Sequence, residues 1–292
     1  AFAEAKNGTP QIGLNGLFLY QRSLRGNDPL ADSPNGLGLQ EAELSFLSDV
    51  DPYSRFFATF SMHPELSHVA DASNVTIPQS IEYKYEPEEI YGESTQIPMI
   101  TFKLGKFKTA FGKSNTTHTH ALAFVEQPLL LSSIFGSEGL NDVGASASLL
   151  LPTSWFSEAT LQALSGKAEG QDNYFHDASP NSMVYLLKLK NLWELNDDST
   201  LEWGLSGVTG ENSFATATFR ENSTQFLGSD LTFKWRPAVG GKFHALIWSN
   251  EIAQRKIKRE TGENTTEGIV SSLQWQVDER WWLQGRAEYV SR

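Results

Sequence analysis

Apolar and polar residues alternate two by two along much of the chain. Ala42-Glu43-Leu44-Ser45-Phe46 is one such run, with Glu41 continuing its polar side. In Arg55-Phe56-Phe57-Ala58-Thr59-Phe60-Ser61-Met62, one side holds Phe56, Ala58, Phe60 and Met62, the other Arg55, Thr59 and Ser61. Leu187-Lys188-Leu189-Lys190, Leu201-Glu202-Trp203-Gly204-Leu205-Ser206, Leu231-Thr232-Phe233-Lys234-Trp235-Arg236 and Leu273-Gln274-Trp275-Gln276-Val277 repeat the pattern. A period of two is that of a strand with two unlike faces, and helical spacing is rare here. The pattern predicts thirteen strands: 11–22, 36–48, 53–63, 80–86, 98–111, 142–151, 156–166, 182–195, 200–209, 224–236, 242–257, 266–277 and 281–292. After Gly105 the phase slips, since Lys106 and Lys108 fall on the face of Phe102 and Leu104, so a bulge is expected there.

The connections carry a second pattern. Short turns at 49–52, 152–154, 196–199, 237–241 and 278–280 are built from Pro, Gly, Asn and Asp. Between them lie longer polar stretches at 23–35, 64–79, 112–141, 167–181, 210–223 and 258–265. Alternating short and long connections are expected of an antiparallel barrel with tight turns at its periplasmic end. The connection at 87–97 is long for its place in the series.

Composition narrows the classes. The chain has 292 residues, net charge -12, no cysteine, mean hydropathy -0.35 and 12% aromatics. Missing thiols exclude a disulfide scaffold and any cysteine-based metal or nucleophilic site. The acidic balance argues against nucleic acid as a partner. No apolar run approaches a membrane helix, but a barrel wall hides its apolar residues at alternate positions and escapes that test. Trp155, Trp193, Trp235, Trp275, Trp281 and Tyr289 fall near predicted strand ends, where amphipathic rings suit a membrane interface. Ala1-Phe2-Ala3-Glu4-Ala5 has the small-residue spacing left by a cleaved signal peptide. The fold expected is all-β: an antiparallel transmembrane β-barrel, 1–292 forming a single domain. An odd strand count and an end at Val290-Ser291-Arg292 suggest a chain lacking its last strands, about sixteen to eighteen in the intact protein.

Lys103-Leu104-Gly105-Lys106-Phe107-Lys108-Thr109-Ala110-Phe111-Gly112 resembles the Gly-x-Phe-x-x-x-Phe-Gly segment of bacterial outer-membrane porins, especially the phosphate-selective porin-like group. Asn115, His118-x-His120, Pro128-Leu129 and Asn141-Asp142-Val143-Gly144 continue the likeness, which covers residues 98–152. The resemblance implies a water-filled channel for small hydrophilic solutes or ions in the outer membrane, with lipid and lipopolysaccharide around it and a homotrimer by family analogy. It carries over no phosphate site. It also implies that the third long connection, 112–141, folds into the lumen, with Lys113, Asn115, His118, His120 and Glu126 at the constriction; the apolar run 129–135 would then pack on the wall.

Following the polar phase gives the residues expected to line the pore. The acidic ones are Glu41, Glu43, Glu82, Glu158, Glu202, Asp230 and Glu288; the basic ones are Arg55, Lys84, Lys103, Lys188, Lys190, Lys234, Arg236 and Arg286. In 242–257, Ser249, Glu251 and Arg255 are expected on the polar face and Leu246, Trp248 and Ile252 opposite. The remaining net charge falls in connections, at residues such as Asp28, Asp32, Asp71, Glu88, Glu89, Asp172 and Asp177. His118 and His120 are weak metal-ligand candidates that need a third ligand, for instance His63 or His68. There is no nucleophile elbow and no phosphate-binding glycine loop, so neither an enzyme nor a cofactor is expected. A structural or adhesive barrel with a plugged lumen and a soluble β-rich binding protein are the competing readings.

Overall fold

The computed structural model describes residues 9–22, 36–70, 76–136, 139–167, 175, 183–212 and 222–291, with 21, 65–70 and 76–80 described by backbone alone. The chain divides into two compact units, Ala1–Gly92 with His118–Ala121, and Glu93–Thr117 with Leu122–Arg292. The signal-like N-terminal run and the acids Asp28, Asp32, Asp71, Asp172 and Asp177 lie outside the described residues.

The strands are β1 (Gln11–Gln21), β2 (Gly36–Asp51), β3 (Ser54–Ala70), β4 (Thr76–Ser94), β5 (Ile100–Lys108), β6 (Asn141–Leu150), β7 (Phe156–Leu164), β8 (Val184–Asn196), β9 (Ser199–Glu211), β10 (Ser223–Trp235), β11 (Ala245–Arg259), β12 (Gly262–Asp278) and β13 (Trp281–Val290). They form one sheet in the order of the sequence, β1 to β13, which does not return to β1 among the described residues. β1 to β3 and β5 to β13 pair antiparallel with their neighbours. One short helix, α1 (Leu129–Phe135), and two 3-10 turns, Ser114–Thr116 and Thr119–Ala121, interrupt the long connection between β5 and β6.

Each of the thirteen predicted strands corresponds to a strand among the described residues. Three connections differ. The stretch 64–79 is largely strand, since β3 runs on to Ala70 and β4 starts at Thr76; 87–97 is strand as far as Ser94. The stretch 258–265 is a tight hairpin in which Arg259 faces Gly262 and Lys258 faces Glu263. Gly262 holds the left-handed φ of 125° that the reversal needs. In 258–265 the ladder continues where both faces are polar, and in 64–79 and 87–97 the strands continue although Leu66, Val69, Ile77, Ile90 and Tyr91 do not keep a two-residue alternation. Backbone pairing persists there, but the apolar–polar contrast that marks a strand in the sequence is gone. The expected bulge at Gly105 is also absent from the β5–β6 ladder, which passes Gly105↔Gly144 without a shift. Lys106 instead stands opposite Val143, on the same side as exposed Leu104.

Burial runs opposite to that of a water-soluble sheet. On β8 Leu187 is 59% exposed and Lys188 9%; on β10 Leu227 is 59% exposed and Asp230 3%. In the other unit Leu44 is 37% exposed and Glu43 3%. Ile252, Ile269, Leu273, Leu283 and Tyr289 continue the exposed apolar side, and Ser206, Thr232 and Glu251 the buried polar one. In the second unit the turns β6–β7, β8–β9, β10–β11 and β12–β13 share one edge of the sheet. Trp155, Trp193, Trp235, Trp275 and Trp281 lie at that edge, and Trp155 and Trp193 have ring centroids 6.3 Å apart.

Candidate functional site

The connection 109–140 begins by crossing the polar face of five consecutive strands. Ala110 N donates to Gln162 Oε1 on β7 (3.1 Å), and the Gly112 carbonyl accepts from Lys188 Nζ on β8. Gly112 N donates to Ser206 Oγ on β9 (3.0 Å). Lys113 Nζ donates to Thr232 Oγ1 on β10 (2.7 Å) and to Glu202 Oε1 on β9 (3.4 Å). Ser114 donates through Oγ (2.6 Å) and N (3.2 Å) to Glu251 Oε2 on β11. Gly112 has φ 55°, and a Cβ there would meet the Glu251 carboxylate, so both backbone and space require glycine.

The same region holds a charge network. Lys190 lies 3.2 Å from Glu202 and Lys188 lies 3.9 Å from Asp230. Lys190 also faces Glu158 across the β7–β8 ladder. Gly204, between Glu202 and Ser206 in the polar phase, leaves the space that the Asp230 carboxylate occupies. Burial disfavours the charged Lys113 and lowers its pKa from 10.5, with Glu202 offsetting part of the effect.

Farther along, α1 lies on β11, β12 and β13. Glu288 accepts from Leu129 N at its start, and Arg255 Nη1 donates to the Ser133 and Ile134 carbonyls at its end (3.2 and 3.1 Å). A carboxylate at the N-terminus and a guanidinium at the C-terminus both suit the helix dipole. Arg286 pairs with Glu288 (2.6 Å), donates to the Glu126 carbonyl (2.7 Å) and lies over the Phe124 ring. The inner side of α1 joins an aromatic cluster. Phe135 is 4.9 Å from Phe111 and 4.6 Å from Phe226, and Phe175 is 5.6 Å from Phe226.

His118 and His120 belong to the first unit. His118 Nδ1 lies 3.1 Å from Glu88 Oε2 and 3.4 Å from Glu43 Oε2, and its Nε2 lies 2.7 Å from Glu89 Oε2. His120 Nδ1 lies 2.9 Å from Glu43 Oε2. Burial works against a charged His118 ring, but the hydrogen bonds it donates to Glu43, Glu88 and Glu89 outweigh this and push its pKa up to about 11.

Several sequence expectations land elsewhere. Asn115 does not project from the connection. It is buried, donates to the Thr109 and Leu140 carbonyls (2.9 Å each) and accepts from Leu140 N (2.7 Å), so it ties the two ends of the connection together. The Glu126 side chain is exposed, and only its carbonyl is used. Glu82 is exposed within β4, Lys234 is exposed at the end of β10, and Arg236 lies just past β10, because the polar phase continues beyond the covered part of the face. Arg55 is exposed opposite Asp49 next to the β2–β3 turn. Lys84 pairs with Glu86 (3.3 Å), and Lys103 lies over the Phe107 ring at 5.6 Å. His63 is near Glu86 (3.6 Å) rather than His118, and the His68 side chain lies outside the described residues. Glu88 and Glu89 read as loop acids in sequence, yet they are buried on β4. Their only signal was a strand-like run, Tyr83 to Tyr85, leading into them.

No family model matches the chain. An uncharacterized protein of Aquifex aeolicus (strain VF5) is 25% identical over 269 residues, which cover 84% of this chain and 53% of that protein, so the chain spans about half the length of this relative. Among solved structures, OmpT, an outer membrane protein of Vibrio cholerae in its trimer form, aligns with TM-score 0.48 and 10% identity over 98% of this chain and 89% of its own. The outer membrane channel DcaP of Acinetobacter baumannii aligns with TM-score 0.39 and 9% identity over 98% of this chain and all of its own. Both scores lie below 0.5, so neither likeness bears on function.

Proposed function

We propose that the chain forms the wall of a bacterial outer-membrane channel for passive diffusion of small hydrophilic solutes or ions, with 112–141 as its constriction. The observation that carries this reading is the inverted sheet, with Leu187, Leu227 and Ile252 exposed and Lys188, Asp230 and Glu251 buried. In water such a sheet would expose its apolar face at a cost of about 25 cal/mol per Å2. Against lipid hydrocarbon the same face is matched, and the polar face then borders an aqueous lumen. A soluble binding protein would carry these side chains the other way round. The belt of tryptophans at one strand edge suits a lipid–water interface. Lys113, Glu202, Lys190 and Asp230 put both charge signs beside the constriction, where a transverse field filters ions.

Single-channel recording in planar bilayers tests the reading. Discrete conductance steps are expected, and a folded, inserted protein that stays electrically silent would overturn it. The aromatic cluster of Phe111, Phe135, Phe175 and Phe226 favours one second reading, a barrel filled by its connections that serves as a surface scaffold. That reading predicts silence together with loss of surface binding when exposed connections are deleted.

A further inference from the structure

We propose that Glu43, Glu88 and His118 form a binding site for a divalent transition-metal ion of the zinc class, with His120 beside it and Glu89 positioning the ring. The inference does not depend on the channel reading. It starts from spacing. Zinc holds nitrogen and oxygen ligands at about 2.0–2.1 Å in a tetrahedron, so neighbouring ligand atoms stand roughly 3.3 Å apart. His118 Nδ1 is 3.1 Å from Glu88 Oε2 and 3.4 Å from Glu43 Oε2, separations that match two edges of such a tetrahedron. The ligand atoms of Glu43, Glu88 and His118 all lie within 4.8 Å of one another, and those of Glu41, Glu43 and His120 do the same. Glu43 belongs to both sets, and His120 Nδ1 lies 2.9 Å from its Oε2.

The ring's other nitrogen supplies an independent observation. His118 Nε2 lies 2.7 Å from Glu89 Oε2. A carboxylate there holds the proton on Nε2, so an incoming ion displaces only the Nδ1 proton that Glu43 and Glu88 hold in the metal-free protein and takes the lone pair it leaves, with the outer-sphere arrangement that fixes a ligating histidine. Glu89 is therefore a positioning residue. The three acids are also buried. Burying that many carboxylates together requires positive charge among them, which the His118 ring supplies in the metal-free protein and a divalent ion would supply more strongly in place of its Nδ1 proton. A donor set mixing imidazole with carboxylate favours zinc, cobalt or nickel over magnesium and calcium. The fourth position falls to His120 or to water.

The test is titration of the intact, chelator-stripped protein with Zn2+ by calorimetry, and with Co2+ followed by its visible spectrum. One saturable ion per chain is expected, uncompeted by excess Mg2+, with tetrahedral cobalt bands. His118→Ala and Glu88→Gln should weaken binding at least tenfold. Glu89→Gln should weaken it about 10- to 100-fold while keeping the cobalt bands at saturation. Circular dichroism and heat-modified gel mobility check that each variant is folded. Absence of saturable Zn2+ binding to the folded wild-type protein would overturn the proposal. So would binding that survives both His118→Ala and Glu88→Gln unchanged.

Discussion

At the scale of single residues, Lys113 and Asn115 sit two positions apart and do different work. Lys113 projects onto β9 and β10 and shares Glu202 with Lys190. Lys113→Met leaves Glu202 with one cation in place of two. One charge at about 8 Å in water is worth about 0.5 kcal/mol. If the chain forms the proposed channel, the permeability ratio of K+ over Cl- is expected to rise roughly twofold, read as a reversal potential in a salt gradient. Asn115 instead holds the base of the connection through Thr109 and Leu140. Asn115→Ala strands buried backbone groups and should lower stability by about 2–3 kcal/mol in urea unfolding from micelles, with faster protease cleavage inside 112–141. In sequence the two residues look alike, as polar members of one polar connection. Only the closure of 109 onto 140 separates them, and closure is a long-range fact that local pattern does not carry.

At the scale of elements, the strands were legible because each one separates two unlike surroundings. Lys188, Glu202, Asp230 and Glu251 could be assigned to one face from parity alone, as could Leu187, Leu227 and Ile252 to the other. Legibility failed where that contrast fades. The outer parts of β3 and β4 lose the two-residue alternation and the β11–β12 hairpin end is polar on both sides, and there parity says nothing. For the same reason Glu88 and Glu89 passed as loop acids. The apolar α1 was legible as a packed stretch but not as a helix, since seven residues hold too few turns to show a period. Leu227→Arg tests the face assignment. If β10 crosses the membrane near its midplane there, the change should cost about 2–4 kcal/mol in unfolding from lipid vesicles. On a sheet facing water, an arginine at a site already 59% exposed would change stability little.

At the scale of the molecule, the tryptophan edge offers a test of embedding that needs no conductance. Trp155, Trp193, Trp235, Trp275 and Trp281 are grouped at one strand edge of the second unit. In reconstituted vesicles, lipids brominated near the headgroup should quench tryptophan fluorescence more than lipids brominated at the chain ends. Equal quenching by both would argue against an interfacial belt.

The sheet's order also has a consequence for how such a wall can change size. Every strand pairs with its neighbours in sequence, so a hairpin can be gained or lost without rewiring the rest. Residues 110–114 break that freedom locally, because they are bonded in turn to β7, β8, β9, β10 and β11. Five residues reach at most about 18 Å even when fully extended, and this segment turns at Gly112, so the side chains of Gln162, Lys188, Lys113 and Glu251 complete the roughly 19 Å that four strand spacings occupy. The segment therefore acts as a tie-beam of fixed length. A hairpin inserted between β7 and β11 would outrun it by about 10 Å, whereas one added beyond either end would not strain it. Growth in circumference is thus confined to the flanks, and the arc from β7 to β11 keeps its span whatever the strand number of the whole.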